Sequence, residues 1–350
     1  GQARMQKDLL KSLQTQQKFI NMSIKHKATV GVIGGSGYTG GELLRLLVNH
    51  PNISIDFVYS TTRPGKPLTD AHPDLIGQTD LTFVDLVNPD VDVLFLCLGH
   101  GLSGTFLHEN PMNDNTKIID LSNEFRLHKD HHFLGKSYVY GLPEFQKQLI
   151  QSAQAVANPG CFATAIQLGL LPLAQNGLLT DDVQVHAITG RTGAGVKPSA
   201  TSHFSWRNNN VSWYKPFTHQ HLGEIGETLS SLQSSTPDIN FLPIRGNFTR
   251  GIFASIYTKF DGDILSAQKL FRSFYADSPF THISESPLDL KMVVNTNNCL
   301  IHLHKHKDLL LITSCLDNLL KGASGQAVEN MNLMFSWPQT NGLQLKANVH

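Results

Sequence analysis

The run ATVGVIGGSGYTGGELLRLLVNH, residues 28–50, constrains this chain more than any other stretch. ATVGVIG has the character of a strand buried on both faces in a parallel sheet. ELLRLLVNH carries the apolar spacing of an amphipathic helix. Between them Gly34, Gly37 and Gly40 follow a GxxGxxG spacing. Glycines at a strand-to-helix turn let backbone N–H groups approach a diphosphate at the positive end of the helix. A ligand-free tight turn uses the same glycines, so the dinucleotide reading rests on the context of strand and helix rather than on spacing alone.

The next strand, ISIDFVYS (53–60), runs into Thr61, Thr62 and Arg63, with Lys66 close behind. A site for NAD usually places a carboxylate at this strand end to hold the ribose 2′-hydroxyl. Hydroxyls and cations favour a 2′-phosphate instead, so Ser60 and Arg63 are expected to select NADP(H). VDVLFLCLG (91–99) and KIIDLS (117–122) are further parallel-type runs, which makes the first half a doubly wound sheet. After ANPGCFATAIQLGLLPLAQNG (157–177) the rhythm changes. That stretch predicts a turn and then a helix interrupted near Pro172 and closed by Gly177. VQVHAITG, INFLPIRG, GIFASIYTKF, LKMVVNTNN, CLIHLHKH and DLLLITSCL then alternate as strands of a largely antiparallel sheet with one solvated face.

The expected fold class is α/β: a Rossmann domain over 28–157, with a doubly wound parallel sheet, and a second, α+β domain over 158–318. The closing segment, 319–350, holds a helix with two glycines at its start. Residues 1–27 are polar and Gln-rich, without the apolar core of a signal peptide. They read as an N-terminal extension, either disordered or a remnant ahead of a native start at Met22. Acidic and basic residues balance at 28 each, so no field of one sign argues for nucleic acid or a membrane surface. Four cysteines without a CxxC pair suit a reducing, cytoplasmic setting.

Cys97 and Cys315 lie in apolar runs and read as core residues. Cys161 differs, because it follows Asn-Pro-Gly at the start of a helix. Unsatisfied N–H groups there lower a thiol's pKa and can hold an oxyanion. A nucleophilic thiol needs a group that moves protons near neutral pH, and FTHQHLGEIGE offers His219, His221 and Glu224. Glu224 falls three residues past His221, so it can orient a ring or close a helix cap. A metal reading of His-x-His lacks a third ligand cluster, so none is expected. Arg126, Arg191, Arg245 and Arg250 stand near strand ends, where guanidinium forks serve anionic substrates. Thr189–Ser202, rich in Gly, Ser and Thr, can cover a substrate's far end and offer Arg191 and Lys197 to a carboxylate.

GGSGYTGGELLRLL, DLSNEFR, VYGLPE, ANPGCFATA, THQHLGEI, RGNFTRGI and NLLKGASGQAVENMN, in this order, resemble the N-acetyl-γ-glutamyl-phosphate reductases, within the aspartate-semialdehyde and glyceraldehyde-3-phosphate dehydrogenase superfamily. The resemblance spans about residues 28–345. It implies a second domain built on a large mixed sheet, a last helix returning to the first domain, and a homo-oligomer. It implies Cys161 as nucleophile and His219 or His221 as acid/base, with His219 favoured. Gly34, Ser36, Gly37, Tyr38 and Thr39 would cradle the cofactor phosphates, with Ser122, Gly325 and Gln326 by the nicotinamide. Arg126 and Asn158 would hold the substrate phosphate. One departure stands out: Gln220 occupies the middle of a motif that usually reads His-Arg-His. A cation near the substrate is therefore expected from elsewhere in the chain.

Overall fold

The structure, a computed structural model, describes residues 27–350. All but the last residue of the expected N-terminal extension lies outside them. The first sheet contains β1 (Ala28–Ile33), β2 (Ile53–Tyr59), β3 (Phe83–Val84), β4 (Val93–Leu96), β5 (Lys117–Asp120), β6 (His132–Phe133), β7 (Lys136–Tyr140) and β8 (Ala155–Ala157). Its order is β3-β2-β1-β4-β5-β8-β7-β6. All neighbours are parallel except β6, which runs antiparallel to β7. The chain therefore reverses its winding between β1 and β4. That switch point opens a crevice at the carboxyl ends of the strands, where ligands of such sheets bind. Helix α1 (Tyr38–Leu47) leaves β1 through the glycine turn, α2 (Ser103–Glu109) follows β4, and α3 (Pro143–Ser152) precedes β8.

Helix α4 (Cys161–Gln175) crosses into the second half and is buried from Phe162 to Ala174. It continues through Pro172, although the sequence predicted an interruption there. A proline removes one helical donor and leaves the carbonyl four residues earlier without its partner. Here the Tyr275 hydroxyl donates to that carbonyl, of Leu168, and repairs the loss. Gly177 ends the helix at φ +64°, the left-handed cap that glycine adopts without strain.

The second sheet comprises β9 (Val183–Thr189), β10 (Ser212–Trp213), β11 (Ile239–Arg245), β12 (Ile252–Lys259), β13 (Thr281–Ser284), β14 (Cys299–His306) and β15 (Leu309–Leu316). Its order is β10-β11-β9-β12-β15-β14-β13. The β9–β11 and β13–β14 pairs are parallel and the others antiparallel, so the sheet is mixed. Alternate residues of β9 and β12 pack on α4, and the other face is partly exposed. LKMVVNTNN, expected as a strand, is instead a 3₁₀ turn and loop. The Asp289 carboxylate caps the turn, Asn295 sits at φ +67°, and Val293 packs in a small cluster with Leu288 and Cys315. Helices α5 (His221–Leu232) and α6 (Ile264–Phe274) complete this half.

The closing segment makes a π-helical turn at Leu320–Ser324 and then α7 (Gly325–Met334). Val328, Met331 and Leu333 of α7 join the core of the first sheet. Two ion clusters, one buried and one partly buried, tie these segments together. Lys321 lies 2.8 Å from both Glu144 and Glu329. Arg250 spans from Glu42 on α1, at 2.8 Å, to Asp317 just past β15, at 3.1 Å.

Candidate active site

The crevice at the switch point is a cleft of about 520 Å³ whose walls come from both halves. The glycine turn forms one wall. Gly34 takes φ +75°, and a Cβ there would lie 2.5 Å from the Cys97 carbonyl oxygen. Gly40 is buried and packs on Gly35, where a Cβ would come within 2.6 Å of its Cα. It packs the turn and does not line the cleft. Gly37, Tyr38 and Thr39 face the cleft, and the nearest atom to a Cβ at Gly37 would be 3.9 Å away. The N–H groups opening α1 thus have room for an anion. Beneath the turn, His72 Nε2 lies 2.6 Å from the Gly35 carbonyl oxygen. The ring fits because Gly41 lacks a Cβ, which would meet it at 2.6 Å. Ser36 is half-buried on the turn, outside the cleft lining.

At the end of β2, Ser60 is buried with its hydroxyl 3.3 Å from that of Thr62. Arg63 pairs with Asp70 at 2.5 Å on the surface. No carboxylate occupies Ser60–Arg63.

The opposite wall carries Cys161, the first residue of α4. Its turn is held from behind. Glu224, on α5, accepts the Gly160 N–H at 3.0 Å and the Tyr140 hydroxyl at 2.8 Å on one oxygen. Its other oxygen takes Arg126 Nη1 at 2.8 Å. Arg126 also donates to the carbonyls of Asn158 and Leu121. The Arg126–Glu224 pair is 4% and 3% exposed and braces the turn from within, while Arg126 and Asn158 also line the cleft. The Asn158 side chain is likewise engaged, donating to Ala323 and accepting from Asn330. Gly322 of the π turn presses on Cys161, where a Cβ would come within 2.8 Å of the cysteine's own.

Burial pushes the Cys161 thiol up. The Phe162 N–H, Arg245 and Arg126 pull it down, and the Glu224 charge adds to the rise. The expectation of a lowered pKa at the helix start is therefore not met: the Phe162 N–H acts in the expected direction, and burial outweighs it.

His219 and His221 flank the edge of Phe162, with ring centroids 5.5 and 6.2 Å away. Burial, Lys215 and Arg245 hold His219 down at about 4. Its Nδ1 accepts the His221 N–H at 3.2 Å, so the ring proton of the neutral form resides on Nε2. His221 packs against Gly160, where a Cβ would lie 2.3 Å from Nε2, and burial holds it well below its usual range. Its Nδ1 has no partner among the described residues.

Several expected site residues lie off the cleft. Ser122 is buried and donates to Asp120 at 2.7 Å. Gly325 and Gln326 are interior, with Gln326 turned toward Thr164 of α4 at 3.1 Å. The extra backbone of the π turn explains this, since it brings Gly322 and Ala323 to the cleft instead. Arg191 reaches the Gly195 carbonyl at 3.3 Å, and Lys197 is exposed. Neither lines the cleft, whereas His100, Tyr214, Lys215 and Arg245 do. Arg245 stacks on Tyr214 at 4.6 Å and donates to Gly190 at 2.8 Å. Of this group the sequence singles out only Arg245, as one of four arginines, and signals a further cation through the departure at Gln220.

Residues 29–153 match the semialdehyde dehydrogenase NAD binding domain, and residues 161–318 match the semialdehyde dehydrogenase dimerisation domain. An N-acetyl-γ-glutamyl-phosphate reductase of Christiangramia forsetii is 56% identical over 318 residues, covering 91% of this chain and 98% of its own. One from Flavobacterium johnsoniae is 57% identical over the same shares. The chain belongs to the N-acetyl-γ-glutamyl-phosphate reductases. Members of this family are oxidoreductases, and the fold agrees with more distant solved structures. Aspartate semialdehyde dehydrogenase II of Vibrio cholerae, complexed with ASA, superposes with a TM-score of 0.68 at 14% identity, over 89% of this chain and 99% of that one. The Candida albicans aspartate semialdehyde dehydrogenase with NADP gives 0.65 at 13%, over 88% and 98%.

Proposed function

We propose that this chain reduces an N-acyl-γ-glutamyl phosphate to the corresponding semialdehyde and phosphate, with NADPH as reductant and a thioester on Cys161. The observation that carries the reading is the meeting of Cys161, His219 and the glycine turn in one cleft. The cleft has the features a dinucleotide needs: Gly37 leaves space, the first turn of α1 carries no side-chain cap, and residues 60–63 include no carboxylate, the nearest being the Asp70 that pairs with Arg63. Tyr38 and Thr39 would hold the diphosphate, and Ser60, Arg63 and Lys66 the 2′-phosphate. When bound, NADPH supplies a hydride.

The chain's own residues supply the rest. The Cys161 sulfur attacks the acyl carbon; the C–S bond forms, the C–O bond to phosphate breaks, and phosphate leaves with the thiol's proton. His219 presents Nε2–H to the carbonyl oxygen as negative charge develops there, both in thioester formation and when the thioester is reduced. A neutral imidazole locked in this tautomer is a donor at neutral pH. The reduced adduct then expels the Cys161 thiolate as the aldehyde forms. Asn158, Arg126 and Glu224 keep the nucleophile's turn in place. We further propose a cytoplasmic homo-oligomer; the exposed side chains of Phe204, Trp206 and Trp213 in the second half support self-association. No described helix is long and apolar enough to cross a membrane.

The reaction is tested in reverse, with phosphate, NADP and a panel of semialdehydes. N-acyl glutamate semialdehyde turns over, and aspartate semialdehyde, whose ammonium would be desolvated without a counter-charge, reacts far more slowly. Comparable kcat/KM values overturn the substrate assignment. Cys161→Ser binds NADP and shows no turnover; substantial residual activity overturns the thioester.

A further inference from the structure

Three cations near the cleft are each paired with a carboxylate. Arg126 is braced by Glu224, Arg250 by Glu42 and Asp317, and Lys321 by Glu144 and Glu329. Lys215 and Arg245 differ. Both line the cleft with Cys161 and His219, and among the described residues neither has a carboxylate within ion-pair distance. Each is instead oriented by neutral groups. The Lys215 ammonium donates to the Gln220 amide oxygen at 3.1 Å. The Arg245 guanidinium lies over Tyr214 and bonds the Gly190 carbonyl. The backbone fixes Lys215 as well: it sits at φ +44° and Phe217 at φ +61°, on either side of Pro216. A cation held in place without an internal counter-charge is available to an anion from outside.

The two cations sit at different depths. Arg245, half-buried on β11, is the deeper of the two, and Lys215, exposed in the loop before α5, is the outer one. The proposed substrate has two anionic ends. Its phosphoryl group is joined through one oxygen to the carbon that sulfur attacks, and its α-carboxylate is several bonds further away. We infer that Arg245 contacts the phosphoryl group, that Lys215 contacts the α-carboxylate, and that Gln220 is the positioning residue that aims Lys215. The inference rests on the proposed reaction. It assigns to Lys215 the charge that the His-Gln-His motif lacks at its centre.

The reverse reaction separates the two ends, because phosphate and the semialdehyde are then distinct substrates. The wild-type enzyme is assayed first with N-acetyl glutamate semialdehyde; no turnover there refutes the reaction and not the assignment of cations. With turnover established, Lys215→Met raises the semialdehyde KM by roughly 10- to 100-fold, the worth of one charged hydrogen bond, and leaves the phosphate KM within about twofold. Lys215→Arg recovers much of the loss. Arg245→Met raises the phosphate KM preferentially. Gln220→Leu shifts the semialdehyde KM in the same direction as Lys215→Met but by less, with kcat changed little. NADP binding by each variant shows that it is folded. An unchanged semialdehyde KM in folded Lys215→Met, or a selective rise in its phosphate KM, overturns the assignment. A Gln220→Leu variant indistinguishable from wild type overturns the positioning role.

Discussion

Glu224→Gln removes one charge from the brace behind the nucleophile and keeps its shape. In the native arrangement one carboxylate oxygen holds Arg126 at 2.8 Å while the other accepts Tyr140 and the Gly160 N–H. An amide has a single acceptor oxygen, so its NH₂ must face a donor. The guanidinium, 4% exposed, is left without its counter-charge. Breaking a buried pair from one side costs about 3–5 kcal/mol. For a protein of this size each kcal/mol moves the melting temperature by about 2 °C, so the apparent Tm should fall by about 6–10 °C. The thiol moves the opposite way. The Glu224 charge contributes to the rise of Cys161, so removing it lowers the thiol pKa and speeds alkylation by iodoacetamide at pH 7. Turnover nevertheless drops, because the single amide oxygen can serve either Arg126 or the Gly160 N–H, and the turn loses one of its two anchors. Thermal denaturation, alkylation rates against pH and steady-state assays on one preparation test all three. A Tm loss under about 2 °C with unchanged kcat refutes the brace.

Replacing Arg63 and Lys66 together by Ala should raise the NADPH KM more than the NADH KM; equal effects would make that loop mere surface. Gly41→Ala should push His72 away from the Gly35 carbonyl, cost about 1–3 kcal/mol in denaturant unfolding, and raise the NADPH KM; an unaltered KM would show that the cofactor turn does not depend on His72. His219 titrates at about 4 when folded, against about 6.5 ordinarily. The unfolded chain therefore binds more protons between these values, so stability is full above about pH 6.5 and falls as pH drops toward 4. His219→Asn should flatten part of that slope and lower kcat by roughly 10²–10³, the loss expected of one oxyanion donor; an unchanged slope would mean the ring is not held neutral.

What the sequence made legible is what local chemistry determines. The strand, glycine turn and helix of β1 and α1 are specified by a periodicity and by three residues without a Cβ. Cys161 at the head of α4 follows from Asn-Pro-Gly. Other features depend on partners distant in the chain. The helix continues through Pro172 because a tyrosine about a hundred residues later repairs it, and no local pattern announces Tyr275. Gly325 and Gln326 sit in a run whose helical phase is shifted by the π turn, so the cleft-facing positions move to Gly322 and Ala323. LKMVVNTNN has strand composition, but Asp289 offers its backbone a competing cap. Arg126, expected at the substrate, has most of its donors satisfied by a glutamate on α5 and by two carbonyls. Arg245 was one arginine among four, and a lone Lys215 carries no spacing signal at all.

The Arg250 bridge limits how this molecule can be taken apart. The same guanidinium closes on a carboxylate of α1 and on one at the end of β15, so its cost of separation falls on both halves at once. Splitting the chain after residue 157 would leave Glu42 with Arg45 alone and Glu144 without Lys321 in one fragment, and Arg250 and Lys321 each short of one partner in the other. A circular permutant that cuts an exposed turn, such as Lys307 between β14 and β15, keeps all three residues on one polypeptide. New termini there should be tolerated, whereas complementation between separately expressed halves should require both to be present as they fold.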